Sequence, residues 1–231
     1  MKNQLFSFVM LLLLGVSLSL ASCNAGAETA QESTATAAAE EPADKPKPQK
    51  QFGLKVGDTA PDFKLKNIDG NMVSLADFAD AKGYIVTFTC NTCPYSVAYE
   101  DRIIALHNQF APLGYPVIAV QPNDPAIKTG DSYEKMQERA ASKQFPFPYL
   151  MDDGSVTPVY GATRTPEIYL LDKDLTVRYT GAIDDNAQNA SAVQAKYVEL
   201  AVEALEAGKT PEPDFVKAIG CGIQPRQAKQ S

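Results

Sequence analysis

Between Phe52 and Ile223 the spacing of apolar residues changes several times, and each change predicts an element. Phe63 and Leu65, then Met72, Val73 and Leu75, flank Asn67-Ile68-Asp69-Gly70. The Asp-Gly pair marks a turn, so a β-hairpin is predicted. Leu75 to Ala81 reads as a short helical piece with Ser74 at its cap. Tyr84-Ile85-Val86-Thr87-Phe88-Thr89 is β-branched and aromatic, as a buried strand requires. Val97, Ile103, Ile104, Leu106 and Phe110 then follow helical spacing, which predicts a helix from Pro94 to Phe110 that stops before Pro112 and Gly114. Val117 to Val120 is a second buried strand, Asp131 to Gln144 an amphipathic helix, Tyr149 to Met151 a short extended piece and Val156 to Tyr160 a helical turn. Glu167 to Leu171 and Thr176 to Tyr179 form a second hairpin around Asp172-Lys173-Asp174. Ala192 to Ala207 is a long helix stopped by Gly208, and a Pro-rich tail to residue 223 packs on the domain.

Strand, helix, strand, helix, hairpin and final helix imply an α/β domain. A central mixed sheet carries helices on both faces and an N-terminal β-hairpin, a layout similar to thioredoxin-like folds. No internal repeat or second linker interrupts residues 52–223, so one domain is expected, with 224–231 as a C-terminal tail.

The first 51 residues obey none of these periods. Lys2 precedes an apolar run from Leu5 to Leu20, which ends in Ala21 and Ser22. The run is short of the ~20 residues of a spanning helix and fits a secretory signal. Leu20-Ala21-Ser22-Cys23 is similar to the bacterial lipoprotein junction, which implies a signal peptide over 1–22 and lipidation of Cys23. Asn24 rather than Asp then favours an outer over an inner membrane. Residues 23–51 are rich in Ala, Glu, Thr, Pro and Lys and read as a flexible tether with a reach of roughly 30 Å. The expected location is exported, lipid-anchored to the cell envelope and facing the periplasm.

Composition narrows the chemistry. Of 231 residues 45% are hydrophobic and 21% charged, and the net charge is −7, with no basic run for nucleic acid. One histidine and four cysteines leave little for a metal site, and no metal or dissolved organic cofactor is expected.

The sharpest signal is Cys90-Asn91-Thr92-Cys93-Pro94-Tyr95, a C-x-x-C at a strand-to-helix junction. Such a pair in a β-α-β setting reads as a thiol redox motif. Pro94 at the first helical position makes Cys93 the N-cap. Unpaired N–H groups and the positive end of the helix dipole then favour its thiolate. Cys90 at the strand end is within reach to resolve an adduct on Cys93. Two other readings remain open, a structural disulfide and a metal site, but the lone His107 lies several turns along the helix from Cys93.

With these residues in place, the chain resembles a peroxiredoxin-like (AhpC/TSA-type) branch of the thioredoxin superfamily. Val56-Gly57-Asp58-Thr59-Ala60-Pro61-Asp62-Phe63 is similar to the redoxin opening, and Thr163-Arg164-Thr165-Pro166-Glu167-Ile168-Tyr169-Leu170 to the Thr-Pro strand. Cys-Asn-x-Cys-Pro-Tyr, Asn123-Asp124, Gly181 to Asp185 and Ile219-Gly220-Cys221 complete the set. The resemblance implies a cis Thr165-Pro166 bond lining the active site and a backbone edge beside Cys93 for a substrate strand. Three positions depart from it: Cys90 stands where peroxiredoxins keep Thr, Ser96 where thioredoxins keep their second cysteine, and Arg164 where relatives carry a cysteine. Arg164 either stabilises a thiolate, binds an anion or is merely solvated. With Cys23 set aside, three cysteines remain, so Cys221 is either a resolving thiol or an inert buried one.

The expected function is that of an exported thiol–disulfide oxidoreductase. Cys93 attacks, Cys90 resolves, Thr165 and Pro166 complete the site, and an external thiol reductant resets it. Its partners would be protein or small-molecule disulfides and thiols, or peroxide, together with the membrane through the lipid anchor. Two alternatives stand beside it: a thiol peroxidase with Cys90 or Cys221 resolving, and a non-catalytic binding module with locked cysteines. A couple below about −300 mV would mark the last.

Overall fold

In the computed structural model, residues 53–226 are described. The expectations for residues 1–51, Cys23 included, lie outside them. Among the described residues there are ten strands: β1 (Lys64–Asn67), β2 (Met72–Ser74), β3 (Gly83–Phe88), β4 (Val117–Gln121), β5 (Tyr149–Met151), β6 (Arg164–Thr165), β7 (Glu167–Asp172), β8 (Val177–Gly181), β9 (Phe215–Val216) and β10 (Cys221–Gly222). The helices are α1 (Pro94–Phe110), α2 (Tyr133–Lys143), α3 (Thr157–Tyr160) and α4 (Tyr197–Glu206). Eight strands form the mixed sheet in the order β2-β1-β5-β4-β3-β7-β8-β9, and β6 and β10 form a separate ribbon. β3, β4 and β5 run parallel, joined through α1 and α2, while β7 lies antiparallel to β3.

The alternation of side chains along a strand sorts the core into two layers. Ile85, Ile168 and Leu170 join one cluster with Tyr99, Ile103 and Leu106 of α1, Met136 of α2 and Val198 of α4. Tyr84, Val86, Phe88, Tyr169 and Leu171 face the other, packed on Phe63, Leu75 and Tyr160. Both faces are therefore covered, but unevenly. α1, α2 and α4 share one side; the other is closed by the four-residue α3 and the N-terminal segment.

Beyond shifts of a residue or two, three features differ from expectation. The helical piece after Ser74 is a single 3-10 turn, Leu75–Asp77, closed by the Ser74 N–H donating to the Asp77 carboxylate at 2.8 Å. α4 begins at Tyr197 rather than Ala192. The preceding stretch is held in turns because Asn186, Asn189 and Asp185 side chains accept from Asn189, Ser191 and Gln194 N–H groups. Side chains of this kind offer the backbone an alternative to the helix. The tail does pack on the domain, but as structure: β9 extends the sheet beside β8, and β10 pairs with β6. Residues 224–226, read as part of a separate tail, continue that strap.

Candidate active site

The end of β3 delivers the cysteine loop to α1. Pro94 occupies the first turn and Cys93 is the N-cap, in extended backbone at φ −79° and ψ 121°. Proline suits that place because the N–H it lacks would have had no helical partner. The loop ahead of it is fixed by Asp131, a fully buried carboxylate. The N–H groups of Asn91 and Thr92 donate to it at 2.9 and 3.0 Å, and the Thr92 hydroxyl at 2.9 Å. Thr165-Pro166 is cis, and the Thr165 carbonyl lies 3.2 Å from Cys93 Sγ.

The pairing of sulfurs departs from the leading sequence reading and takes up its alternative. Cys93 is joined in a disulfide to Cys221, 128 residues away in sequence, with 5.9 Å between their Cα atoms. Cys90, expected to resolve Cys93, is free and buried, with its Sγ 3.3 Å from the Thr165 hydroxyl. The reason lies in the tail. Cys221 and Gly222 pair antiparallel with Thr165 and Arg164, which sets Cys221 on the edge beside Cys93. The edge foreseen for a substrate strand is thus filled by the chain's own C-terminal strap. Gly220 permits the approach, since a Cβ there would overlap the Thr165 carbonyl. The strap continues with the Ile223 N–H donating to Thr163 O at 3.1 Å. Asp124 N–H then donates to Gln224 O at 2.7 Å, and Gln224 N–H to Asn123 Oδ1 at 2.8 Å. Under this strap Cys93 is 2% exposed and Cys90 3%, whereas Cys221 is half-buried.

The other candidates take definite places. Thr165 is buried against the cysteines and Pro166 is buried beside it, but Arg164 is exposed, with its guanidinium beside Gly222 on the strap. Glu167 accepts the Thr163 and Arg164 N–H groups at 2.8 and 3.0 Å, and burial pushes its carboxyl above the usual range. Asp184 is structural: Tyr99 hydroxyl and Arg102 donate to it at 2.7 and 2.6 Å. His107 is a half-buried histidine whose Nδ1 accepts the Val117 N–H at 3.3 Å, and burial lowers its pKa. Among the described residues no group of three or more His, Cys, Asp or Glu could hold a metal ion. No helix among them is long and apolar enough to cross a membrane.

Asp131 escaped the sequence reading because it stands just ahead of the Ser132 cap of α2, where an acidic residue is ordinary. Asn123 was visible only as half of the Asn123-Asp124 resemblance, with no role attached.

A model of the AhpC/TSA family matches residues 56–180. Thiol-disulfide oxidoreductase ResA of Geobacillus thermodenitrificans is 28% identical over 133 residues, 56% of this chain and 70% of that protein. A Mycobacterium tuberculosis protein bearing a peroxiredoxin name is 26% identical over 144 residues, 60% of this chain and 84% of its own length. Among solved structures, an uncharacterized conserved protein from Geobacillus kaustophilus is 32% identical with a TM-score of 0.70, covering 77% of this chain and 94% of its own. A hypothetical protein from Sinorhizobium meliloti is 31% identical with a TM-score of 0.71, covering 75% and 96%.

Proposed function

From its membership of the AhpC/TSA family, to which this chain belongs, we propose that the protein is an exported, lipid-anchored thiol–disulfide oxidoreductase whose couple is Cys93–Cys221. The observation that carries the reading is the placement of the Cys93 sulfur. Cys93 is the N-cap residue of α1, and its sulfur lies beside the Thr165 carbonyl, already joined to a second cysteine on an extended strap.

The chemistry follows from the two ends of the bond. In the closed form Cys221 is the more exposed residue of the pair, so an incoming thiolate attacks Cys221 Sγ and the Cys93–Cys221 bond breaks. Cys93 leaves as a thiolate at the helix N-terminus, where N–H groups and the dipole favour it, and an acidic leaving thiol departs faster. A second thiolate of the reductant then displaces Cys221, the reductant leaves as its own disulfide, and both cysteines are reduced. In the forward direction Cys93 thiolate attacks a substrate disulfide and expels one substrate thiolate. Cys221 then attacks the Cys93 sulfur, expels the second, and the two electrons have passed to substrate.

The purified chain, supplied with a dithiol, should reduce a disulfide substrate such as insulin faster than the dithiol alone. Rapid consumption of hydrogen peroxide with no gain on insulin would replace this reading with a thiol peroxidase, which the M. tuberculosis relative's name favours. A disulfide that stays closed at about −300 mV would leave only a structural bridge. The anchor rests on the leader Lys2 to Ser22 and on Cys23. Labelled palmitate should enter the wild-type chain and not Cys23→Ser; equal labelling removes it.

A further inference from the structure

The loop that carries Cys93 and the strap that carries Cys221 hang from one buried network. Asp131 holds the loop through the Asn91 and Thr92 N–H groups, and it also accepts from Asn123 Nδ2 at 2.8 Å. A carboxylate only accepts, so the Asn123 amide must turn its NH₂ to Asp131 and present Oδ1 outward. That oxygen receives the Gln224 N–H at 2.8 Å. Asn123 is 3% exposed, so its amide is shut between the carboxylate and the strap.

We propose that Asn123 is a positioning residue which holds the strap so that Cys221 meets Cys93, and that its amide favours the closed disulfide. The inference rests on the reading of Cys93–Cys221 as the redox couple. Asn123 touches neither sulfur; it acts through the backbone of Gln224. Without the disulfide the strap is a narrow element. It keeps the two β6–β10 residue pairs, the Ile223 bond to Thr163, the two Gln224 bonds and the Asp124–Arg226 contact at 4.0 Å. Docking of so short a segment is weak in the reduced chain, and each bond it loses lowers the local concentration of Cys221 at Cys93. A general loss of stability would weaken the reduced and oxidised forms alike and leave the potential where it was. A contact that matters for closure moves it.

The test compares the full chain, purified in detergent, with Asn123→Ala and Gln224→Pro. The second variant removes the same hydrogen bond from the other side, since proline has no N–H. It changes an exposed residue, so it leaves the core intact. Each protein is equilibrated in dithiothreitol redox buffers, alkylated, and read by mass for Cys93 and Cys221. Both variants should hold the disulfide about tenfold less well, a midpoint about 30 mV more oxidising for a two-electron couple. A reversible wild-type couple with either variant at the wild-type midpoint overturns the assignment to Asn123 alone. A wild-type disulfide that the buffers never open overturns the couple and this inference together.

Discussion

Cys93→Ser should drop insulin reduction to the rate of the dithiol alone, a loss of at least about a thousandfold relative to the catalysed excess. Cys221→Ser should act differently. With Cys93 intact and its internal partner gone, the first exchange proceeds and the second fails, so Cys93 accumulates as a mixed disulfide with substrate. Cys90→Ser should leave turnover near wild type, because the Cys90 sulfur is buried against the Thr165 hydroxyl and takes no part in the bond present. These three variants separate the readings by which one traps. Trapping in Cys90→Ser and not in Cys221→Ser would return the resolving role to Cys90. Non-reducing gels with mass identification of the trapped sulfur decide the matter.

What was legible in the sequence had local causes. Pro94 fixes the start of α1, and with it Cys93 as the cap, because proline is pre-shaped for the first turn. β3, β4 and β7 were readable from continuous apolar runs that only a strand buried on both faces requires. The thioredoxin-like layout and the family followed from motifs spread over the whole domain. The choice between Cys90 and Cys221 as the partner of Cys93 was not legible, because it depends on where a Pro-rich tail lies after 128 residues of chain have folded. Cys90, three positions from Cys93, was the nearer partner in sequence, and proximity along the chain was the only distance on offer. Gly220 is required by its close passage over the Thr165 carbonyl, a tertiary contact that no local pattern encodes. The start of α4 was misread on the same principle in reverse. Local Asn and Asp turns, together with Arg102 donating to the Asn186 and Ala187 carbonyls, override an apolar pattern that suits a helix.

Asp131→Ala should destabilise the domain by about 3–5 kcal/mol, because it orphans several buried or half-buried donors at once. The Asn91 and Thr92 N–H groups, the Thr92 hydroxyl and Asn123 Nδ2 all lose their acceptor. Hydrogen bonds to a charged acceptor contribute about 1.5–3 kcal/mol each, and the sum is held down because exposed Thr92 can turn to water. Urea unfolding of the reduced chain, where no disulfide constrains the unfolded state, gives the measurement. A loss below about 1 kcal/mol would mean the network is re-satisfied and does not fix the loop. Asp152→Ala supplies the comparison. That carboxylate is also buried and accepts from the Gly154, Val156 and Thr157 N–H groups, but it caps α3 and touches neither the cysteine loop nor the strap. The two variants should lose stability by similar amounts. Only Asp131→Ala should also weaken closure of Cys93–Cys221, since only Asp131 joins the segments that carry the two sulfurs. An equal effect of both on closure would show that the couple responds to stability at large, and the joint role of Asp131 would fall with it.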